Sequence, residues 1–153
     1  MAQEPALDRI DREIIALLQK DARQSNRQLA AAVGLAPSSC LERVRRLRSR
    51  GVIRGFGAQV DPAALGLSLQ AMVKVRLAGH SREVFESVRE RMVGLAEVMA
   101  VYHVGGEADF LVHVAVRDAE HLRQLAWDHF TSREEVRQIE TSLIFEYQPC
   151  RVG

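Results

Sequence analysis

The apolar residues of this 153-residue chain change period part-way along, and that change limits what it can fold into. Leu7, Ile10, Ile14, Leu17 and Leu18 recur at helical spacing, one stripe on one face. From Leu69 onward Leu69, Ala71, Val73, Val75 and Leu77 alternate with Gln70, Met72, Lys74 and Arg76, the period of a half-buried strand. A helical first part and a mixed second part imply two small units. Asp61-Pro62-Ala63-Ala64-Leu65-Gly66, a turn with a short helical piece, falls between them. We therefore expect one domain over residues 1–60 and another over residues 61–153.

Three helices are expected in the first unit. Asp8 suits the N-cap of the first, with Asp11 three residues on as a capping-box variant. Ser25 suits the N-cap of a second that runs through Leu29, Ala30 and Val33 to Gly34. The third is bounded by Pro37, which fits a first helical position, and by Gly51 just past its end. Three short helices with a tight connection before the last make a helix-turn-helix pattern. Residues 52–60 read as extended, either a small wing or a linking strand.

The third helix is the informative one. Arg43, Arg45, Arg46, Arg48 and Arg50 crowd its second half. At about 100° per residue, Pro37, Cys40, Leu41, Val44 and Leu47 share an inward arc, and Ser39, Glu42 and Arg46 point away. Ser38 and Ser39 can donate to or accept from base edges, and Arg43 and Arg46 can reach guanine or phosphate. Arg45 and Arg50 suit phosphate contacts that position without specifying. Glu42 can accept from a cytosine amino group, but is expected rather to hold Arg45 or Arg46 within the helix. Residues 1–60 carry 11 Lys and Arg against 6 Asp and Glu, whereas residues 61–153 carry 10 against 14. That asymmetry fits one part that meets double-stranded DNA and another that does not.

The second unit reads β-α-β-β-α-β. The strands fall at residues 69–77, 98–104, 108–116 and 139–147, and Ser81 and Asp118 start the helices. This is the ferredoxin-like arrangement, with both helices on one face of a four-stranded antiparallel sheet. The fold class is thus α+β. The other sheet face carries enough apolar side chains to imply burial in a homodimer. Pairing across the hairpin sets His103 opposite Phe110 and His113 opposite Ala100, on different faces, and no His spacing suggests a metal. Trp127 is expected to pack at a helix or subunit contact.

Five segments resemble one family: Leu7-Asp8-Arg9-Ile10-Asp11, residues 18–23, Val33-Gly34-Leu35, Cys40-Leu41-Glu42-Arg43-Val44-Arg45-Arg46-Leu47 and Gly51-Val52-Ile53. Together they look like the Lrp/AsnC, or feast/famine, transcription regulators. The resemblance covers essentially the whole chain. It implies a winged helix-turn-helix domain, a linking strand, then an αβ-sandwich domain for effector binding and oligomerisation. It also implies assembly beyond the dimer, such as an octamer of four dimers. One departure is Ala36, where the family usually has a capping serine; the lost cap should cost about 1 kcal/mol.

The resemblance also points to residues 104–110. Glycine N–H groups at Gly105 and Gly106 can cradle a carboxylate, and Asp109 can accept from an α-ammonium. An ordinary Gly-Gly hairpin turn is the plainer alternative. Gly106, Asp109 and Phe110 match the family pattern, while Glu107 replaces an aspartate and Ala108 an aromatic. Thr141 and Ser142 resemble family positions that line the same pocket. The expected effector is a free amino acid bound between dimers, with no other cofactor.

Hydrophobic content of 47 % with 27 % charged residues is that of a globular chain. No apolar run approaches the ~20 residues that span a bilayer. Two distant cysteines, Cys40 and Cys150, and an N-terminus without an apolar core suggest the cytoplasm. An effector-independent architectural DNA-binding protein is the alternative. A catalytic or small-molecule αβ module with no DNA role is a remote one, because no catalytic motif appears.

Overall fold

The structure is a computed structural model that describes residues 6–148. Cys150 lies outside them. The described chain divides into two compact units, one ending at Gln59 and one spanning Val60–Gln148.

The first unit holds α1 (Arg9–Lys20), α2 (Asn26–Ala32) and α3 (Pro37–Ser49). Asp8 caps α1 by accepting from the Asp11 N–H at 2.7 Å. Ser25 and Gln28 form a full capping box on α2. Gly34 and Gly51 take φ of 69° and 70°, the left-handed turns that end α2 and α3. Ile14, Leu18, Leu29, Ala30, Cys40 and Leu47 form the core, with Ile10, Val33, Val44 and Ile53 packed on it. Leu41, expected inside, is 38 % exposed. Residues 54–60, expected to be extended, belong to no helix or strand among the described residues.

In the second unit a 3₁₀ turn (Pro62–Leu65) precedes β1 (Leu69–Leu77), α4 (Arg82–Val93), β2 (Val98–His103), β3 (Phe110–Val116), α5 (Ala119–Ala126), a π-helical turn (Trp127–Thr131) and β4 (Val136–Ile144). Sheet order is β2-β3-β1-β4, antiparallel throughout. The strand ends shift from the expected ranges. β3 begins at Phe110 because the turn occupies residues up to 109, and β4 starts at Val136 and stops at Ile144. β4 starts early because Leu77 pairs with Val136 across an irregularity at Arg76/Leu77. Phe145 and Tyr147, expected on this strand, lie beyond it.

Ala71, Val73, Val75 and Leu77 of β1 and Phe110, Val112, Val114 and Val116 of β3 are buried with Val88, Met92, Leu125 and Phe130. These face the helices. By alternation Met72, Lys74, Arg76, Leu111, His113 and Ala115 face the other way. His103 pairs with Phe110 and His113 with Ala100. His103 stacks near Phe85 on the helix side. His113 is buried on the other face, 2.9 Å from Gln70 Oε1. Trp127 is 60 % exposed in the single chain, so it packs within no core here.

Candidate functional site

α3 is held at both ends. Pro37 begins it, and Ala36 at the N-cap makes no side-chain bond. Asn26 Nδ2 donates to the Pro37 carbonyl at 2.7 Å, tying the start of α2 to the start of α3. With Cys40 and Leu47 fully buried beneath, the opposite face is presented outward. Ser39, Glu42, Arg43, Arg45, Arg46 and Ser49 line a shallow groove there. Ser38 is exposed in the first turn, outside the groove lining. Arg50 is the C-cap residue, and its N–H bonds back to the Arg46 carbonyl.

The arginines are not equivalent. Arg43 Nη1 lies 2.6 Å from Asp8 Oδ2 and 2.9 Å from Asp11 Oδ1. Arg46 Nη2 approaches both Asp11 oxygens, at 3.1 and 3.2 Å. Asp11 is 2 % exposed, Arg43 25 % and Arg46 47 % by side chain. Arg43, expected to reach guanine or phosphate, lines the groove while its guanidinium braces α3 against α1. Arg46 is bound on one nitrogen and open on the others. Arg45 is exposed and has no carboxylate partner among the described residues. Glu42 pairs with neither Arg45 nor Arg46, because Arg46 turns to Asp11 instead.

Asp11 was legible only as a weak capping partner. The stronger signal is that it falls about 60° from Ile14 around α1, at the edge of the apolar stripe. A carboxylate there needs a cation. The Asp11 N–H and then Arg43 hold the Asp8 carboxyl below its usual range, and the same two carboxylates raise the Arg43 guanidinium.

In the second unit the β2–β3 turn borders a cavity of about 430 Å³ on the sheet face away from the helices. Lys74, Arg76, Gly105, Glu107, Leu111 and Glu140 are among its lining residues. Arg76 Nε donates to the Glu107 carbonyl at 2.5 Å, and Lys74 Nζ lies 3.0 Å from Glu140 Oε1. Gly106 sits at the apex with φ 117°.

Three expected effector residues, Asp109, Thr141 and Ser142, are not among the residues that line this cavity. Asp109 Oδ2 accepts from the Leu77 N–H at 2.7 Å, and its Oδ1 lies 3.2 Å from His80 Nε2. It serves the irregular end of β1 and does not line the cavity. Thr141 pairs with Val73 and Ser142 with Met72, so their side chains take opposite sheet faces, and neither lines the cavity. Lys74, Arg76 and Glu140 were missed. Each reads in sequence as an ordinary polar position of an alternating strand, and only the register brings them to the turn.

A helix-turn-helix unit with a basic outward face, joined to a sandwich with a pocket at its hairpin, defines a DNA-binding transcription regulator with its own ligand-binding domain. Residues 7–54 match the family model for winged helix-turn-helix DNA-binding, and residues 70–147 match that for the Lrp/AsnC ligand binding domain. The chain belongs to the Lrp/AsnC family. It is 46 % identical over 141 residues to the HTH-type transcriptional regulator AldR of Mycobacterium tuberculosis, covering 92 % of this chain and 79 % of that one. It is 38 % identical over 140 residues to the leucine-responsive regulatory protein of Escherichia coli, covering 92 % and 85 %. A transcriptional regulator from Neisseria meningitidis, solved as its L-Met complex, superposes with a TM-score of 0.83 at 27 % identity, covering 92 % and 91 %. The chain is a regulator and not an enzyme, which sets aside the catalytic-module reading. No helix among the described residues is long and apolar enough to cross a membrane.

Proposed function

We propose that α3 enters the major groove of double-stranded DNA, with Ser38, Ser39 and Arg46 toward base edges and Arg45 and Arg50 toward phosphates. The observation that carries this is the outward groove of α3, where Ser39, Arg45 and Arg46 converge above a buried Cys40–Leu47 seam. Residues in the first turns of a recognition helix reach bases, which covers Ser38 and Ser39; Arg46, in the last turn of α3, is assigned to a base edge on its place in the outward groove, and flanking cations hold the backbone. A homodimer sets two such helices about 34–36 Å apart, or a multiple of that. Further assembly, such as an octamer, lets one particle engage longer DNA in the cytoplasm. The test is a fluorescence-anisotropy titration with a duplex that this protein selects from a random library. Arg46→Ala weakens the selected duplex more than a scrambled one. Arg45→Ala weakens both alike and lowers the salt slope by about 1. Equal behaviour of the two variants refutes the division of roles.

The cavity at the β2–β3 turn is proposed to take a free amino acid. A zwitterion needs a cation and an anion a few ångströms apart, and Arg76 with Glu107 or Glu140 supplies both. The L-Met complex of the Neisseria meningitidis regulator supports this class of ligand. Asp109, Thr141 and Ser142 are not assigned to it. A second reading, an effector-independent architectural protein, is favoured by one observation: Lys74 is already paired with Glu140 and Arg76 with the Glu107 carbonyl. Calorimetric titration with each of the twenty amino acids decides. Heat with one of them, lost in Arg76→Ala, supports the sensor; no heat at millimolar concentrations supports the architectural reading.

A further inference from the structure

α1 carries a carboxylate where its buried stripe would take an apolar side chain. Asp11 is 2 % exposed, and its two oxygens meet Arg43 and Arg46, both from α3. A buried carboxylate is costly unless cations and hydrogen bonds surround it. Arg43 meets only Oδ1, with its Nη1 at 2.9 Å, and Arg46 is the cation that reaches Oδ2. The geometry of Arg46 differs. Only Nη2 is engaged, shared between Oδ1 and Oδ2 at 3.2 and 3.1 Å, while the side chain remains 47 % exposed on the groove. A guanidinium has five N–H donors in a rigid plane. Fixing one N–H of Nη2 orients the plane and leaves one edge of the guanidinium, the second Nη2 N–H with Nε or Nη1, free for a bidentate contact. A free arginine must lose rotamer freedom to make a bidentate contact; this one has lost part of it beforehand.

We propose that Asp11 is a positioning residue for sequence readout: it holds Arg46 so that the guanidinium meets a base edge in a set orientation. This rests on the reading of α3 as the base-reading helix. Asp11 itself touches no DNA. Its effect is on the ratio of selected to scrambled binding, not on overall attraction, because a carboxylate beneath a phosphate-binding face opposes binding to any duplex.

The experiment is a double-mutant cycle on the full chain, with anisotropy on the selected and scrambled duplexes at one salt concentration. Asp11→Asn keeps the size of the side chain but removes the charge that holds Arg46. The expected result is a loss of about tenfold in the selected-to-scrambled ratio, the scale of one bidentate base contact, with scrambled binding unchanged or tighter. In an Arg46→Ala background, Asp11→Asn causes no further loss of ratio. Equal loss in both backgrounds makes Asp11 merely structural and overturns the inference. Tighter binding to both duplexes at an unchanged ratio makes it a competitor for phosphate and also overturns it. If Arg46→Ala by itself leaves the ratio unchanged, Arg46 does not read bases and the underlying assignment falls with the inference. Arg46→Lys keeps the test open should Asp11→Asn fold poorly. One ammonium nitrogen satisfies Asp11 or reaches DNA, but cannot present a planar fork while anchored. The ratio should fall as far as with Arg46→Ala, and a ratio kept by lysine overturns the inference.

Discussion

Ala36 occupies an N-cap whose backbone, φ −64° and ψ 144°, already suits a capping side chain. An oxygen there accepts from the second or third helical N–H. Ala36→Ser should raise stability by about 1 kcal/mol in urea denaturation, and an unchanged midpoint would mean that water already satisfies those donors. Arg43 gives the opposite case. It braces Asp8 and Asp11 rather than solvent, so Arg43→Ala should cost about 1–3 kcal/mol through the buried carboxylate it leaves short of a donor. Loss of DNA binding in that variant must be judged against its thermal unfolding; full stability would show that Arg46 alone satisfies Asp11. His113 carries a pH dependence. Burial lowers its pKa below the ordinary 6.5, so on acidification the unfolded chain takes up the proton first. The stability linked to it is complete above about pH 6.5 and is lost as pH falls through the lower folded value. His113→Gln should therefore close the gap to its parent at pH 5 relative to pH 7.5. A gap of equal size at both pH values would remove His113 from the acid response.

Among the elements, the β2–β3 hairpin is held by a contact that its turn sequence conceals. The irregularity at Arg76/Leu77 shifts the β1–β4 register there, and the Leu77 N–H donates to Asp109. Asp109→Ala strands that N–H and should cost about 1–3 kcal/mol, read by denaturation. Because the side chain does not line the cavity, any heat of amino-acid binding should survive in the folded fraction; its loss would return Asp109 to the ligand. The same residue shows where sequence stops being informative. Helix starts at Asp8, Ser25, Ser81 and Asp118 are legible because a cap is a local bond within three residues. The strand order and the opposition of His103 to Phe110 are legible because alternation and short turns fix register. Arg43 on Asp8 and Asp109 on Leu77 span 35 and 32 residues. No local pattern announces bonds of that separation, and both turn an apparent ligand contact into a structural one.

For the whole molecule, the proposed dimer gives the sheet face without helices a part in how α3 is used. Met72 lies near its centre, paired with His113 on one side and Ser142 on the other. Met99 and Tyr102 on edge strand β2 are 42 % and 48 % exposed. In the proposed dimer this face meets its copy, and the pairing ties two α3 helices to two half-sites. Binding the second half-site is then intramolecular, and such linkage raises affinity by 10²–10⁴ without a new contact. Met72→Lys places a charge at the centre of that contact while leaving the helix-side core untouched. Sedimentation should show a shift toward monomer. Affinity for a duplex with two half-sites should fall by about a hundredfold or more, while affinity for a duplex with a single half-site stays as it was. An unchanged sedimentation coefficient would place the subunit contact elsewhere on the molecule. A monomer that kept its two-site affinity would mean that each chain reads DNA alone, with no use for the spacing a dimer sets.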